Sequence, residues 1–147
     1  MNTNKAISQL LIELYKDIVH IEEKSVINGE FGDITVNDMH VMEVIGEPGD
    51  RTSSSVSKAL GITMGSLTKA IDALVKKGYV ARRRAEHDKR VVLLSLQEKG
   101  VRALRCHSSF HENVTEEAVG QLDLKEKQML ENSLCRLKLY FDNAALI

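Results

Sequence analysis

Two stretches of the chain carry side chains suited to binding a polyanion. The first is rich in cations: Arg82, Arg83, Arg84, Lys89 and Arg90. The second, from Thr63 to Lys69, combines hydroxyl side chains, a glycine and a lysine. Guanidinium and ammonium groups bind phosphate oxygens, and short polar side chains at the start of a helix can reach base edges in a DNA groove. This chemistry is that of nucleic-acid binding.

The charge of the chain is concentrated in the same region. Residues 58–105 contain twelve Lys and Arg and four Asp and Glu, a balance of +8. The whole chain has a net charge of −1, so the remaining residues carry −9. Because the charges are segregated, one surface can attract a polyanion although the total is close to zero.

Helix, turn, helix and hairpin signals position these side chains. Residues 52–60 begin with hydroxyl residues and are followed by Gly61, which is typical of a short capped helix. Thr63 opens a second, amphipathic helix that runs to Lys76. Residues 79–84 and 91–96 are rich in β-formers and predict a hairpin. This order predicts a winged helix-turn-helix.

Helical periodicity covers most of the remaining chain. The predicted elements are a helix over 4–24, a loop over 26–33, a helix over 35–45 capped by Thr35 and Asp38, a stop at Gly46–Asp50 that includes Pro48, and helices over 97–119 and 123–143. We predict a mainly α protein with a small β-hairpin wing. Residues 34–98 form the winged helix-turn-helix DNA-binding domain, and residues 1–33 and 99–147 form a helical dimerisation region.

The first and last predicted helices have apolar seams without an evident partner in a small winged domain. Their residues recur at helical spacing: Ile7, Leu10, Leu14, Ile18, Leu130, Leu134, Leu137 and Phe141. A homodimer with interleaved terminal helices would bury both seams and space two recognition helices about one DNA turn apart. The alternative is that these helices pack on their own winged domain.

Composition excludes several classes of protein. Its 43% hydrophobic content suffices for a core, whereas no stretch approaches the roughly 18 apolar residues of a membrane span, and no signal segment follows Met1. We therefore expect a cytoplasmic protein. Cys106 and Cys135 predict reduced thiols, with a redox switch as the alternative. The chain lacks a Ser-x-Gly elbow, paired catalytic carboxylates and a phosphate-binding glycine loop, so no enzyme is expected.

Each residue of the DNA-binding surface has a predicted role. Those of the recognition helix are Thr63, Gly65, Ser66, Thr68 and Lys69. Gly65 permits a close approach to phosphate, and Lys69 is the foremost base or phosphate contact. The run of Ser53, Ser54 and Ser55 either binds phosphate or only caps its helix. In the hairpin, Asp88 pairs with an arginine while another cation enters an A·T-rich minor groove.

Two histidines four residues apart, His107 and His111, suggest either a metal or a ligand site. His40 or Glu43 could complete a metal site, but no Cys/His cluster accompanies them, so we predict no metal site, with zinc disfavoured. The predicted ligand cavity is apolar, with methionines that can adapt to a flexible alkyl chain, and is lined by Met39, His40, Met42, His107, Phe110 and His111. Ordinary core packing explains the same residues.

Three segments resemble the MarR family of bacterial transcription regulators: Val56–Thr63, Leu67–Val80 and Asp88–Gly100. The family's wing carries Asp-x-Arg and ends in Thr-x-Lys-Gly. Here Asp88, Arg90, Lys99 and Gly100 match, whereas Gln97 replaces the threonine. The resemblance assigns minor-groove insertion to Arg84 or Lys89. It assigns a structural role to Asp88 together with Arg82 or Arg90.

Within this family, residues 38–46 and 90–92 and the spacing of Arg105, His107, Phe110 and His111 are most similar to the fatty-acid-biosynthesis repressors of Firmicutes (FabT type). That resemblance implies a homodimeric repressor of fatty-acid-biosynthesis genes that binds an inverted-repeat operator in double-stranded DNA. It implies acyl carrier protein loaded with a long-chain acyl group as corepressor. The alternative is a repressor of the same family that senses a metal ion or a small aromatic ligand.

Overall fold

The computed structural model describes residues 2–47 and 49–145, so Met1, Pro48, Leu146 and Ile147 of the predicted regions lie outside the described residues. The elements are α1 (Thr3–Asn28), α2 (Val36–Ile45), β1 (Arg51–Thr52), α3 (Ser53–Leu60), α4 (Met64–Lys76), β2 (Val80–Arg84), β3 (Val92–Leu96), α5 (Glu98–Val119) and α6 (Leu124–Ala144). The predicted mainly α fold with a small wing is confirmed. Contacts divide the chain into two compact units, residues 1–108 and 109–147.

Local side-chain chemistry sets the starts of the helices. Side chains accept a hydrogen bond from a backbone N–H of the first turn at five N-caps: Asn2, Thr35, Thr52, Thr63 and Asp123. Asp38 completes the predicted capping box of α2. Helix α3 ends at Gly61, whose φ of 66° is left-handed and therefore favours glycine.

The sheet contains one strand more than the predicted hairpin. Strands β2 and β3 pair antiparallel with Val80 opposite Leu96 and Arg84 opposite Val92. The two-residue strand β1 joins the other edge of β3, so the order is β1-β3-β2. A two-residue strand is too short to show a period in sequence. Helix α1 also continues to Asn28, so the predicted loop from Val26 begins later than expected.

The hydrophobic core of the first unit lies between the helices and one face of the wing. Its fully buried side chains include Met42 of α2, Val56 of α3, Leu67 and Leu74 of α4, and Leu94 of β3. Helix α4 is therefore held in place through its apolar side. Its opposite side is left to solvent.

Tyr79, between α4 and β2, joins three parts of this unit. The side chain is fully buried, and its hydroxyl donates a hydrogen bond to the carboxylate of Asp33 in the loop after α1. The Tyr79 carbonyl accepts from the backbone N–H of Gln97 at 2.9 Å. A Cβ at Gly100 would lie 2.3 Å from that carbonyl oxygen, so only glycine fits there. Lys99 Nζ lies 4.2 Å from the centre of the Tyr79 ring.

Electrostatics at this junction favour an ionised Asp33. The hydrogen bond from Tyr79 holds the pKa of the Asp33 carboxyl below its ordinary value of 3.8, and Lys99 and Lys77 act in the same direction. Burial, followed by the hydrogen bond to Asp33, raises the pKa of the Tyr79 hydroxyl. At neutral pH the pair is therefore a neutral phenol donating to a carboxylate.

The second unit contains the end of α5 and all of α6. None of the described residues of α6 is buried, although the helix carries Leu130, Leu134, Leu137 and Phe141. None of the described helices is both long enough and apolar enough to cross a lipid bilayer.

The substitution Tyr79→Phe is expected to lower the free energy of unfolding by about 2 kcal/mol, because it removes a hydrogen bond to a charged acceptor. A carboxylate whose pKa is depressed stabilises the fold above its ordinary pKa, and this contribution disappears as pH falls through the folded-state pKa. The difference between wild type and variant should therefore be constant at neutral pH and shrink below pH 3.8.

Urea unfolding at fixed protein concentration across this pH range measures the difference. Tyr15→Phe is the matched control, because Tyr15 is exposed and its hydroxyl makes no hydrogen bond within the described part of the chain. A Tyr79→Phe deficit that persists unchanged at pH 2 would contradict the role of the ionised carboxylate.

Candidate nucleic-acid interface

The start of α4 presents a short, exposed polar surface. Thr63 caps the helix by accepting from the Ser66 N–H at 3.1 Å, and the two hydroxyl groups are 3.0 Å apart. The Thr68 hydroxyl donates to the Met64 carbonyl at 2.8 Å. Lys69 is exposed and makes no hydrogen bond or ion pair within residues 2–47 and 49–145. The lysine is thus available to an external anion.

Gly65 is a glycine that the fold itself does not require. It lies in the first turn of α4 and does not have a positive φ. A Cβ built on Gly65 would have one neighbour within 4 Å, Thr63 Oγ1 at 3.9 Å. Alanine would therefore fit the isolated chain, and it would also suit a helix better than glycine.

The serine run at the start of α3 is mainly structural. Thr52 accepts from the Ser55 N–H, and the Ser55 hydroxyl donates to the Thr52 carbonyl at 2.9 Å. Ser53 is buried, whereas Ser54 is exposed. Of the three serines, Ser54 is the one that offers an exposed hydroxyl group. The capping alternative accounts for Ser55.

The three arginines of β2 are each held by the fold. Because side chains alternate along a strand, Arg82 and Arg84 share one face and Arg83 lies on the other. Arg82 pairs with Asp72 of α4, and Arg83 pairs with Asp50. The Arg84 guanidinium donates to the Lys89 carbonyl at 2.7 Å and so spans the hairpin loop.

The tip of the wing is shaped through its backbone. Asp88 Oδ1 accepts from the Arg90 N–H at 3.0 Å, and the Asp88 carbonyl accepts from the Val91 N–H at 3.0 Å. The predicted pairing of the Asp88 carboxylate with an arginine side chain is therefore wrong, because its partner is the main-chain N–H of Arg90. The side chains of Lys89 and Arg90 are exposed and have no partner in the described part of the chain.

The residues predicted to line a ligand cavity differ in burial within their own units. Met39 and Met42 belong to the packed core, and His40 is exposed. His107 is buried in the first unit. Phe110 and His111 belong to the second unit, where their rings meet edge-on with centroids 5.6 Å apart. Their role in ligand binding stays a prediction.

His107 has two carboxylate neighbours within its unit. Its Nε2 lies 3.5 Å from Glu43 Oε1 and 3.8 Å from Glu22 Oε1, and Glu22 is itself buried. Sequence reasoning named Glu43 but missed Glu22. The sequence feature that could have identified Glu22 is its position next to Ile21, beside the apolar stripe of α1.

A cavity of about 530 Å³ opens between the end of α1 and the start of α2. Its lining consists of Glu23, Val26, Gly32, Ile34, Thr35, Val36 and Asn37. Val26 and Ile34 are buried and Val36 is half-buried, so the inner wall is apolar. Three of these seven residues, Gly32, Ile34 and Thr35, come from the loop and cap between the two helices, which carry no periodic signal in sequence.

Comparison with known proteins places the chain among transcription regulators. The family model for the transcriptional regulator SarA/Rot matches residues 23–105. The multiple antibiotic resistance protein MarR of Salmonella typhimurium is 30% identical over 106 residues, which cover 71% of this chain and 74% of that protein. The HTH-type transcriptional regulator BilQ of Clostridium symbiosum is 28% identical over 105 residues, 71% of this chain and 72% of that protein.

Solved structures extend the similarity to nearly the whole chain. Streptococcus pneumoniae FabT in complex with DNA matches with a TM-score of 0.89 and 33% identity over 96% of this chain and 99% of that one. A cysteine-to-serine variant of Escherichia coli MarR with operator DNA matches with a TM-score of 0.68 and 26% identity, covering 90% and 93% of the two chains. With its winged fold and exposed cationic wing tip, the chain belongs to the MarR family of DNA-binding transcription regulators.

Proposed function

We propose that the chain is a homodimeric repressor of fatty-acid-biosynthesis genes, with long-chain acyl-acyl carrier protein as corepressor. The observation that carries the proposal is the similarity to DNA-bound FabT over 96% of the chain. The exposed polar start of α4 and the unpaired cations of the wing tip support the DNA-binding part. The identity of the target genes and of the corepressor rests on the FabT likeness.

On the proposed operator, α4 enters the major groove and the wing tip lies against the adjacent minor groove. Lys69, Lys89 and Arg90 supply the charge, because each extends from the surface without a partner in the described residues. Arg82, Arg83 and Arg84 keep the wing in position through their contacts with Asp72, Asp50 and the Lys89 carbonyl. Ser54 adds an exposed hydroxyl for a phosphate.

The homodimer is supported by the apolar residues that each unit leaves exposed. In α1 these include Leu10, Leu14 and Ile18, and in α6 they include Leu134 and Phe141. Residues of this size spaced along one helix face are covered in stable proteins. A second copy of the chain covers them without any further partner. It also supplies a second recognition helix for the other half of an inverted repeat.

The acyl chain of the corepressor is proposed to occupy the cavity between α1 and α2. Its volume of about 530 Å³ lies within the range of roughly 300–1,000 Å³ typical of ligand pockets. Val26, Ile34 and Val36 provide apolar contacts, and the opening allows a chain to enter from a carrier protein outside.

A metal ion is the second candidate effector, and the surroundings of His107 favour it. Tetrahedral zinc with bonds of about 2.0–2.2 Å holds neighbouring ligand atoms about 3.3–3.6 Å apart. The distances of 3.5 and 3.8 Å from His107 Nε2 to Glu43 and Glu22 are close to that spacing. The acyl chain is preferred because of the FabT likeness.

The substitution Gly65→Ala is expected to weaken operator binding about tenfold while leaving the melting temperature unchanged or slightly higher. The added methyl group has room within the protein but would stand between α4 and the DNA. Fluorescence anisotropy and thermal unfolding measure the two effects. Gly100→Ala is the contrasting variant, expected to lose stability because of the Tyr79 carbonyl. Unchanged operator affinity of the Gly65→Ala variant would show that α4 does not approach the DNA closely at this position.

The substitution Leu134→Glu is expected to shift the protein from dimer to monomer, because it places a charge in a proposed apolar interface. Sedimentation velocity at micromolar concentration measures the mass, and operator affinity should fall with it. Gln128→Glu adds a charge to another exposed position of α6 and should leave the dimer intact. A monomeric wild type would refute the proposed assembly while leaving the family assignment in place.

Filling the cavity with Val36→Phe is expected to abolish the response to the corepressor. Operator affinity of the wild type should rise at least tenfold with palmitoyl-acyl carrier protein and remain unchanged with the unacylated carrier. The variant should retain its basal affinity without the rise, whereas Val36→Ala should respond. An increase produced by Zn²⁺ in place of the acylated carrier would instead select the metal alternative.

A further inference from the structure

An apolar side chain projects from the middle of the polar surface described above. Outside α1 and α6, the exposed large hydrophobic residues among those described are Ile62 and Met64. Ile62 precedes the N-cap Thr63, a position from which an apolar residue often packs on the first helical turn. Met64 is the first residue of α4 and is 47% exposed. Packing on the first helical turn thus explains why an apolar residue stands at Ile62. It does not explain why Met64 is exposed.

The neighbours of Met64 are groups suited to binding the DNA backbone. Met64 borders two adjoining clefts between α4, the start of α3 and the wing. Ser54 and Arg90 border one of them, and Arg84 borders the other. Side chains of a helix point toward its N-terminus, so the side chain of Met64 extends past the N-terminal end of α4. In the proposed complex this end of the helix is the part nearest to the bases.

The remaining side chains of α4 offer little for hydrogen-bonded base recognition. Residues 64–70 contain no Arg, Asn, Gln, Asp or Glu, the residues that make bidentate or charged contacts with bases. The hydroxyl groups of Thr63 and Ser66 bond each other, and that of Thr68 bonds the Met64 carbonyl. Only Lys69 can approach guanine as a charged donor. An apolar contact is therefore a substantial part of the base readout that α4 can offer.

We propose that Met64 is a specificity-determining residue that packs against the C5-methyl group of a thymine in the major groove of each operator half-site. That methyl group is the apolar feature that the major groove displays, and it distinguishes thymine from the other bases. An unbranched thioether side chain adapts to it without a fixed geometry. The proposal rests on the proposed function, in which α4 enters the major groove.

Replacing thymine by deoxyuridine tests the contact, because it removes the methyl group and keeps every hydrogen-bonding group of the base. The wild-type protein first enriches its preferred duplex from a random-sequence library. That duplex is then synthesised with deoxyuridine at one thymine position at a time, in both half-sites. Wild-type affinity should fall about fourfold per half-site at one position, the loss expected for one buried methyl group.

Variants of Met64 identify the residue that reads this methyl group. Met64→Ala should bind the thymine duplex more weakly and show no further loss with deoxyuridine at that position. Met64→Leu should retain the discrimination, and Ile62→Ala, a truncation of similar size beside it, should retain it as well. Melting temperatures confirm that each variant is folded, as expected for a half-exposed site.

Two results would overturn the proposal. One is a Met64→Ala variant that still discriminates thymine from deoxyuridine at every position as the wild type does. The other is a wild type whose preferred duplex is insensitive to deoxyuridine. Failure of the wild type to enrich any duplex is a separate outcome, since it removes the proposed placement of α4 on DNA and the thymine contact with it.

Discussion

The arrangement of the first unit depends on the burial of Tyr79. Its ring lies in the core, its carbonyl is approached so closely by α5 that position 100 must be glycine, and its hydroxyl needs a partner because it is out of contact with water. Asp33 supplies that partner from the loop after α1. One residue thus fixes the exit of the recognition helix, the entry of the wing and the beginning of α5.

The cations near the wing therefore fall into two groups, those held by contacts within the protein and those that extend into solvent. Arg82, Arg83 and Arg84 lie on a rigid strand, and each has an acceptor within the protein. Lys69, Lys89 and Arg90 lie at a helix start and a loop tip, where their side chains make no hydrogen bond or ion pair with the described residues. Exposed ion pairs contribute little stability. The contacts of the β2 arginines therefore mainly orient the wing. The second group of cations is available to bind phosphate groups.

Sequence reasoning predicted the elements whose signals are local. Thr35 with Asp38, Thr52, Thr63 and Gly61 cap their own helices, so their roles could be read from neighbours a few residues away. Contacts between distant residues could not be read in this way. Asp72, Asp50 and Asp33 are ordinary acidic residues in sequence, and their choice of partner follows from packing. The basic character of the wing was predictable, whereas the engagement of Arg84 by the Lys89 carbonyl was not.

The position of Asp33 relates the proposed effector cavity to the recognition helix. Its neighbours Gly32 and Ile34 line the cavity, its side chain holds Tyr79, and its carbonyl accepts from Lys77 at the end of α4. A ligand changes DNA affinity only when it binds more tightly to one position of the reader than to another. Asp33 is contacted by Tyr79, Lys77 and Lys99, so a ligand that displaces its segment would change these contacts. A ligand that moves residues 32–34 would therefore act on α4 through Lys77, at the end of the helix opposite to Met64 and Gly65.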